Sequence, residues 1–315
     1  MPVRPLPLIG RSLAVRCFAS LCLVSACMTA PAAHAQATTT AATDTRTRHP
    51  IVLVHGLLGF DDILGVQYFY GIPAALRAGG ATVFVAKVSA VNDNDVRGEQ
   101  LLKQMRDWSS AHGHQKFNLI AHSQGGPTAR YVAGVAPQLV ASVTSIASPH
   151  TLAATGREDV VGQALSRYPE VVRFAGRFID WLSGSGQLPS DPNALKAWSE
   201  NTAAFNARFP AGAPNTPCGE GPELAANGVR YYSATGNRPK TNAWDPADLI
   251  MTEGTEPSDG LVTVCASRWG QTLRPDLPWN HFDEINQAFG LIGRDAPDPV
   301  AFYRQHANRL KQKGL

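Results

Sequence analysis

Cysteine is scarce in this chain, with five among 315 residues. Three of the five lie within the first 35 residues, so Cys218 and Cys265 are the only cysteines in the rest of the chain. Two thiols can form at most one intramolecular disulfide. The fold is therefore expected to depend on a sizeable packed core.

An excess of charge of either sign is also missing. The sequence carries 28 Lys and Arg against 25 Asp and Glu, and Arg4, Arg11 and Arg16 lie in the first 35 residues, where there is no acid. The rest of the chain has equal numbers of both signs, so nothing in it indicates nucleic-acid binding. No linker, charge run or internal repeat divides the remaining residues, about 280 in number, and a single domain over 49–315 is predicted.

The first 35 residues are typical of a secretory signal. The three arginines precede an apolar run over 17–30, and Pro31–Ala35 reads as a small-residue cleavage site. Lipoprotein processing with acylation at Cys27 is the alternative. Residues 36–48 are interpreted as a flexible leader, and the mature chain as extracellular, exported through the periplasm.

An exported chain passes into an oxidising compartment. We therefore expect Cys218 and Cys265 to form a disulfide. Two free buried thiols are the alternative interpretation.

Apolar runs of strand length alternate with segments of helical spacing along the chain. Strands are predicted over 51–54, 82–88, 117–121, 141–147 and 229–235, and helices over 70–79, 96–112, 127–133, 193–209 and 299–313. This alternation predicts an α/β fold with a mostly parallel central sheet and helices on both faces. Functional sites of such folds lie at the carboxyl ends of the strands.

Residues 151–186 break this pattern. Val171, Phe174, Phe178 and Leu182 form an apolar stripe, and the segment ends in a run of alternating Ser and Gly. An amphipathic helix over the site would act as a helical lid. An ordinary surface helix packed on the core is the alternative, and periodicity alone favours it.

The run Ala121-His122-Ser123-Gln124-Gly125 follows a predicted strand directly and precedes a predicted helix. A serine at such a sharp turn has its hydroxyl exposed above the sheet, and small neighbours let strand and helix approach. Ala121 stands where glycine is usual. Ser123 is the candidate nucleophile, with an ordinary serine of a βα loop as the alternative.

A serine hydroxyl needs a base, and the base needs a carboxylate that fixes its tautomer. Where the nucleophile lies at such a turn on a parallel α/β sheet, the chain order is serine, acid, histidine. Of nine histidines, only His281 and His306 lie well beyond a plausible acid. His306 lies in the terminal helix, where a packed or solvated histidine is the usual case, so His281 is the candidate base. Asp259, 22 residues earlier, is the candidate acid, although an aspartate before glycine is also common in turns.

The tetrahedral intermediate of acyl transfer needs two backbone N–H donors for its oxyanion. Gln124, directly after the nucleophile, is one candidate. The loop after the first buried strand, His55-Gly56-Leu57, offers the N–H of Leu57 as the other. That loop could instead be a tight βα turn.

With these residues in place the chain resembles a known family. Four segments look like the secreted triacylglycerol lipases of Pseudomonas and Burkholderia: 50–60 (PIVLVHGLLGF), 121–126 (AHSQGG), 218–221 (CGEG) and 280–287 (NHFDEINQ). The match runs from about His49 to Leu310. It implies the α/β-hydrolase fold, the triad of Ser123, Asp259 and His281, and Leu57 and Gln124 as oxyanion donors. The chain departs from the family in the weakly matching lid.

The resemblance also implies one structural calcium ion. By position, Asp245 and Asp283 correspond to the carboxylate ligands, and Gln287 and Leu291 to residues that bind through backbone carbonyls. Oxygen ligands suit calcium. A cation there would tie the Asp245 loop to the catalytic loop, because Asp283 is two residues from His281.

The family's disulfide corresponds to Cys218 and Cys265. The resemblance further implies a lipid–water interface as the partner surface and a lipase-specific foldase during export. A monomer is expected. The predicted activity is hydrolysis of water-insoluble acylglycerols through an acyl-enzyme at Ser123.

Two other functions are compatible with the sequence. A carboxylesterase or polyester depolymerase would have the same triad and differ in what enters the pocket. A non-catalytic secreted binding protein on the same scaffold is the third possibility, and the complete candidate triad argues against it.

Overall fold

The structure is a computed structural model that describes residues 44–151 and 190–315, together with Ile179 and Leu188. The predicted signal segment 1–35, with the alternative processing site at Cys27, lies outside the described residues. The same holds for most of the leader 36–48. Nearly all of the predicted lid, 151–186, lies outside them as well.

The core of the fold is a sheet of parallel strands. Strand bounds are β1 Ile51–Val54, β2 Asp62–Ile63, β3 Val66–Gln67, β4 Val83–Val85, β5 Phe117–His122, β6 Val140–Ile146, β7 Arg230–Gly236 and β8 Gln271–Leu277. Six of them pair in the order β4-β1-β5-β6-β7-β8, and every pairing is parallel. β2 and β3 form a separate antiparallel hairpin. The predicted parallel sheet is confirmed.

Helices flank this sheet. Their bounds are α1 Ile72–Ala78, α2 Asn94–His112, α3 Gly125–Val135, α4 Pro192–Glu200, α5 Thr202–Arg208 and α6 Pro299–Gln312, with 3-10 turns at Pro137–Leu139, Pro246–Leu249 and Asp283–Ile285. Aspartate side chains begin α2 and α6 by accepting an N–H of the first turn, which stabilises a helix start. None of the helices described here has the length and apolar composition to cross a membrane.

Alternate residues of β1 point to opposite faces of the sheet. Ile51 and Leu53 pack in one buried cluster with side chains of α1 and α6. Val52 and Val54 pack in another with side chains of α2 and α3. Helices therefore cover both faces, which is why the strand reads as a continuous apolar run.

The structure differs from the sequence predictions in two places. The helix predicted over 193–209 is two helices, because Asn201 between them has a non-helical backbone. Strand β8 was not predicted. It is a partly exposed edge strand that contains Arg274, Pro275 and Asp276, so it lacks the apolar pattern of a buried strand.

Exposed large apolar side chains are unevenly placed. Among the described residues there are eight, of which Val135 and Leu224 lie near the amino ends of the strands. The other six follow the carboxyl ends of strands: Leu64, Trp244, Leu249, Ile250, Phe289 and Leu291. Most of the exposed large apolar side chains among the described residues thus belong to loops that follow the carboxyl ends of strands.

Candidate active site

Ser123 lies in the sharp turn between β5 and α3. β5 ends at His122 and α3 begins at Gly125. Ser123 has a φ of 53°, in the left-handed region that is strained for residues other than glycine. Its N–H donates to the carbonyl of Ile146 at 2.9 Å, and the N–H of Gly126 donates to its carbonyl at 3.0 Å. The predicted strand, turn and helix are therefore present, and the surrounding backbone holds the strained serine.

Glycines allow the close approach of backbone around this turn. A Cβ atom added at Gly56 would lie 2.7 Å from the Cβ of Ser123 and 2.9 Å from the hydroxyl of Tyr68. A Cβ at Gly125 would overlap the carbonyl oxygen of Val54. Both contacts are too short for a side chain, so these two positions require glycine.

His281 and Asp259 are in direct contact. Nδ1 of His281 lies 2.7 Å from Oδ2 of Asp259, and the N–H of His281 donates to the carbonyl of Asp259 at 3.0 Å. The other oxygen, Oδ1, accepts the N–H groups of Leu261 and Val262 at 2.8 and 2.7 Å. Asp259 is fully buried. Both of its oxygens are therefore bonded, and the carboxylate is fixed in the orientation that holds Nδ1–H of His281.

His122 connects the serine turn to the histidine loop. It directly precedes Ser123, and its ring centre lies 4.5 Å from that of His281. Its Nε2 lies 3.0 Å from the carbonyl oxygen of His281. The structure thus brings Ser123, His281 and Asp259 to one place at the carboxyl end of the sheet.

The loop that carries Leu57 is held on both sides. The N–H of Gly56 donates to the Tyr68 hydroxyl at 3.1 Å, and the N–H of Leu58 donates to the carbonyl of Ala90 at 2.8 Å. Arg97 donates to the carbonyl of Gly56 at 3.2 Å. Leu57 itself packs with the apolar cluster that includes Leu195 of α4. The N–H of Leu57 is therefore held in place and is used by none of these bonds.

Gln124 supplies the second predicted donor. Its side-chain Nε2 donates to the carbonyl of Asn92 at 2.6 Å, which holds the residue after the nucleophile against the loop before α2. Among the described residues, neither the N–H of Gln124 nor that of Leu57 donates to a protein acceptor. Both are thus available for an oxyanion.

The predicted calcium ligands Asp245 and Asp283 meet around Asn280. The side-chain Nδ2 of Asn280 donates to Asp245 at 3.1 Å and to Asp248 at 2.8 Å, while its backbone N–H donates to Asp283 at 3.2 Å. Asp245 and Asp283 are almost fully buried. We refer to Asp245, Asp248 and Asp283 as the acidic cluster.

The acidic cluster fits a bound cation. Oδ1 of Asp283 is buried and has no hydrogen-bond partner in the part of the chain that the structure describes. Burial, followed by the charges of Asp245 and Asp248, raises the pKa of Asp283 to about 7. A cation would offset the repulsion between these carboxylates, and hard oxygen donors are the ligands that calcium prefers.

Gln287 and Leu291 lie in the loop that follows the acidic cluster. The side chain of Gln287 donates to the carbonyls of Gln67 and Tyr68 at 2.6 and 3.1 Å, so this loop is tied to the β2–β3 hairpin. Within the part of the chain that is described, no backbone N–H donates to the carbonyl of Gln287 or Leu291. The two predicted carbonyl ligands therefore have the free oxygens that a metal would need.

A second group of potential metal donors consists of His122, His281 and Glu284, whose donor atoms lie within 4.8 Å of one another. Nitrogen donors are unlike the oxygen set of calcium. Nε2 of His122 is already hydrogen-bonded to the backbone carbonyl of His281, and Nδ1 of His281 is hydrogen-bonded to Asp259. This group belongs to the catalytic region rather than to the predicted calcium site.

The predicted disulfide between Cys218 and Cys265 is confirmed. The two residues are 47 positions apart, and the closed loop contains both Asp245 and Asp259. His306 is buried, as predicted for a packed histidine, and its Nε2 lies 2.7 Å from the hydroxyl of Thr144.

Sequence reasoning missed four residues of this region. Tyr68, Arg97, His122 and Glu284 are buried around the serine turn and make polar contacts there. Position could have indicated two of them, because His122 adjoins Ser123 and Glu284 lies three residues after His281. Tyr68 and Arg97 come from distant segments, and no local pattern marks them.

In chain order, Ser123, Asp259 and His281 follow the sequence serine, acid, histidine that is found on parallel α/β sheets. Fold and site together define the class as a serine hydrolase. The profile of the family described as "alpha/beta hydrolase fold" matches residues 49–283.

Three curated relatives are each named triacylglycerol lipase. The protein from Vibrio cholerae is 48% identical over 282 residues, which cover 86% of this chain and 90% of that relative. The protein from Pseudomonas fragi is 42% identical, and the match covers 85% of this chain and 98% of that relative. The protein from Burkholderia plantarii is 37% identical, and the match covers 87% of this chain and 88% of that relative. The chain belongs to the α/β-hydrolase family and, within it, to the bacterial triacylglycerol lipases, so the resemblance is confirmed.

Solved structures agree on the fold. The crystal structure of Staphylococcus hyicus lipase aligns with a TM-score of 0.56 at 17% identity, covering 84% of this chain and 96% of that one. Mature Bacillus licheniformis lipase BlEst2 aligns with a TM-score of 0.50 at 19% identity, covering 76% and 89%. At these identities the likeness concerns the fold alone.

Proposed function

We propose that the chain is a secreted triacylglycerol lipase in which Ser123, His281 and Asp259 form the catalytic triad. The observation that carries the proposal is the buried contact between His281 and Asp259 beside the strained Ser123 turn. Membership of the lipase family supports the substrate class.

Acylation begins when Oγ of Ser123 attacks the ester carbonyl and Nε2 of His281 takes the hydroxyl proton. Asp259 accepts Nδ1–H of His281, which keeps Nε2 free to act as the base and stabilises the imidazolium that forms. His281 then gives the proton to the leaving alcohol, and the fatty acyl group remains on Ser123.

The negative charge of the tetrahedral intermediate develops on the former carbonyl oxygen. The N–H groups of Leu57 and Gln124 donate to that oxygen, and their fixed loops need no reorganisation as charge appears. Deacylation repeats these steps with water as the nucleophile, activated by His281. The products are a fatty acid and free Ser123.

One structural calcium ion is part of the proposal. The carboxylates of Asp245 and Asp283 and the backbone carbonyls of Gln287 and Leu291 would hold it. The ion supplies positive charge to the acidic cluster. Because Asn280 contacts that cluster and directly precedes His281, the same loop is stabilised next to the catalytic base.

The test combines labelling with a choice of substrate. A serine-directed phosphonate should label Ser123 in the wild-type chain and fail to label Ser123→Ala. Emulsified long-chain triacylglycerol should be hydrolysed faster than a soluble short-chain ester. A strong preference for the soluble ester would indicate a carboxylesterase with the same triad, and absence of labelling would contradict catalysis by Ser123.

Residues 151–186 are proposed to be a lid whose apolar stripe meets the lipid surface. Aspartate at Phe174 and Phe178 should weaken adsorption to oil and long-chain hydrolysis while sparing small soluble esters. Equal loss of both activities would contradict a lid role.

Export is proposed to require a lipase-specific foldase, after which the enzyme is a secreted monomer. The chain refolded alone should then have low specific activity that rises when the foldase is added. Full activity after unassisted refolding would contradict this dependence.

A further inference from the structure

A hydrogen-bond network beside the triad connects Tyr68, His122 and the backbone of His281. The N–H of Gly56 lies 3.1 Å from the Tyr68 hydroxyl, which lies 2.7 Å from Nδ1 of His122. Nε2 of His122 lies 3.0 Å from the carbonyl oxygen of His281. This hydrogen-bond network joins the oxyanion loop, the nucleophile turn and the histidine loop, which come from three distant parts of the sequence.

The chemistry of the partners sets the direction of every bond. A backbone carbonyl can only accept, so Nε2 of His122 carries a proton and donates to His281. Burial lowers the pKa of His122 well below its ordinary value, so the ring is neutral and Nδ1 has a lone pair. The Tyr68 hydroxyl must therefore donate to Nδ1, and its oxygen accepts the N–H of Gly56.

Tyr68 and His122 are both buried, and each contacts a further residue outside the hydrogen-bond network. Tyr68 is 7% exposed and His122 is 1% exposed. Gln287 donates to the backbone carbonyl of Tyr68 at 3.1 Å. Oε2 of Glu284, which is fully buried, lies 3.3 Å from Nε2 of His122 on the side of the histidine loop. The two rings thus have little freedom to move apart.

We infer that Tyr68 and His122 are a positioning pair for the triad. The Tyr68 hydroxyl fixes the tautomer of His122, and His122 holds the backbone of His281 next to the serine turn. The same hydroxyl holds Gly56, so the N–H of Leu57 faces the oxyanion. This inference rests on the proposed function, because it assigns its role to the same triad and oxyanion donors.

Positioning of this kind affects the transition state more than substrate binding. If the base or the oxyanion donor moves, kcat falls while KM for a small soluble ester changes little. The affinity for a boronic acid, which forms a tetrahedral adduct on serine, should fall by the same factor as kcat/KM. A purely structural role would lower the melting temperature and leave these values unchanged in the folded enzyme.

Tyr68→Phe is the test, and Tyr303→Phe is its matched control. Tyr303 is buried in the same apolar cluster, and its hydroxyl has no hydrogen-bond partner among the described residues. We expect Tyr68→Phe to lower kcat about tenfold or more on a soluble ester, with KM within about twofold. Tyr303→Phe should stay close to wild type. A wild-type kcat in Tyr68→Phe, or an equal loss in both variants, would overturn the inference.

His122 provides a second pair of variants. His122→Gln keeps an N–H donor that can reach the carbonyl of His281, whereas His122→Leu does not. Partial recovery of kcat in the glutamine variant relative to the leucine variant is expected, with similar melting temperatures. Equal kcat values would overturn the role of the Nε2–H donor.

The phosphonate experiment separates this inference from the proposed function. If the wild-type chain is not labelled at Ser123, the proposed function fails. If it is labelled normally and Tyr68→Phe turns over at the wild-type rate, only the positioning pair is wrong.

Discussion

The catalytic region and the acidic cluster adjoin at the loop that carries His281 and Asp283. Their buried carboxylates differ in how many of their oxygens have protein partners. In the catalytic region, both oxygens of Asp259 are bonded, to His281 and to two backbone N–H groups. In the acidic cluster, Asp283 faces Asp245 and Asp248, and one of its oxygens has no partner. The catalytic carboxylate is satisfied by protein donors, whereas the acidic cluster keeps an oxygen for which the proposed calcium ion would be the partner.

The difference follows from what each carboxylate must do. In the proposed mechanism Asp259 orients a histidine through a catalytic cycle, and its partners are fixed donors of the protein itself. Asp283 carries no such task, and its raised pKa reflects burial near like charges. Asn280 contacts the acidic cluster and adjoins His281, so the two regions share one short segment.

Removing the nucleophile or the base should break the catalytic region and leave the acidic cluster intact. We expect Ser123→Ala and His281→Ala each to lower kcat by about 10³-fold or more, because the triad acts as one unit. Initial rates on a soluble ester measure this effect. Ser123→Ala should keep the wild-type increase in melting temperature with calcium. Retention of more than about a tenth of wild-type turnover would contradict the assignment.

Opening the disulfide should weaken both regions together, because its loop contains Asp245 and Asp259. For a loop of 47 positions, chain entropy gives a loss of about 4 kcal/mol in the free energy of unfolding. Urea unfolding of the double variant Cys218→Ala, Cys265→Ala, compared with oxidised wild type, measures it. A difference below about 1 kcal/mol would show that the loop is held by other contacts.

Removing calcium should act on the acidic cluster first and lower the stability of the whole fold. At a calcium concentration about 100 times Kd, binding contributes about 2.7 kcal/mol, so chelation should lower the melting temperature by about 5 to 10 °C. Asp245→Ala and Asp283→Ala should have lower melting temperatures and no response to chelator. The exposed Asp276, outside the cluster, provides the control Asp276→Ala, which should respond like wild type. An unchanged wild-type melting temperature would rule out the calcium site.

His306 allows a comparison with a buried titratable group outside both regions. Burial lowers its pKa to about 3, so the native state keeps it neutral. The neutral His306 ring contributes its full stabilisation when the pH is above 6.5, the ordinary pKa of histidine. This stabilisation is lost as the pH falls from 6.5 toward 3. The loss is at most about 1.4 kcal/mol per pH unit.

The variant His306→Gln checks this expectation. Urea unfolding at several pH values between 7.5 and 5 should give a smaller decrease of stability with falling pH than in wild type. Equal slopes for both proteins would show that another group dominates the acid sensitivity.

The sheet could be predicted because its strands are buried on both faces and read as apolar runs, as β1 and β5 do. β8 could not, because an edge strand with Arg274 and Asp276 at its centre has no such pattern. Helix boundaries were predicted within a few residues, apart from the break at Asn201, where the backbone leaves the helical conformation although the apolar pattern continues.

The candidate site was predictable where chemistry is tied to local sequence. Ser123 lies in a recognisable turn, and chain order left His281 and Asp259 as its candidate partners. The residues around them were not predictable, because Tyr68 reaches His122 across 54 positions of sequence. Asp248 was missed as well, since only the fold brings it to Asn280 beside the two predicted ligands.

The uneven placement of exposed apolar side chains on the described surface should give the enzyme a preferred orientation when it is immobilised on an apolar carrier. Of the eight found among the described residues, six belong to loops that follow the carboxyl ends of strands, Trp244, Leu249 and Phe289 among them. On an octyl-coated bead the enzyme should settle with its catalytic end toward the bead, since that contact removes the most apolar surface from water. A polar carrier gives the enzyme no preferred orientation of this kind. The coating of the bead therefore decides whether Ser123 faces the bead surface or the surrounding solution.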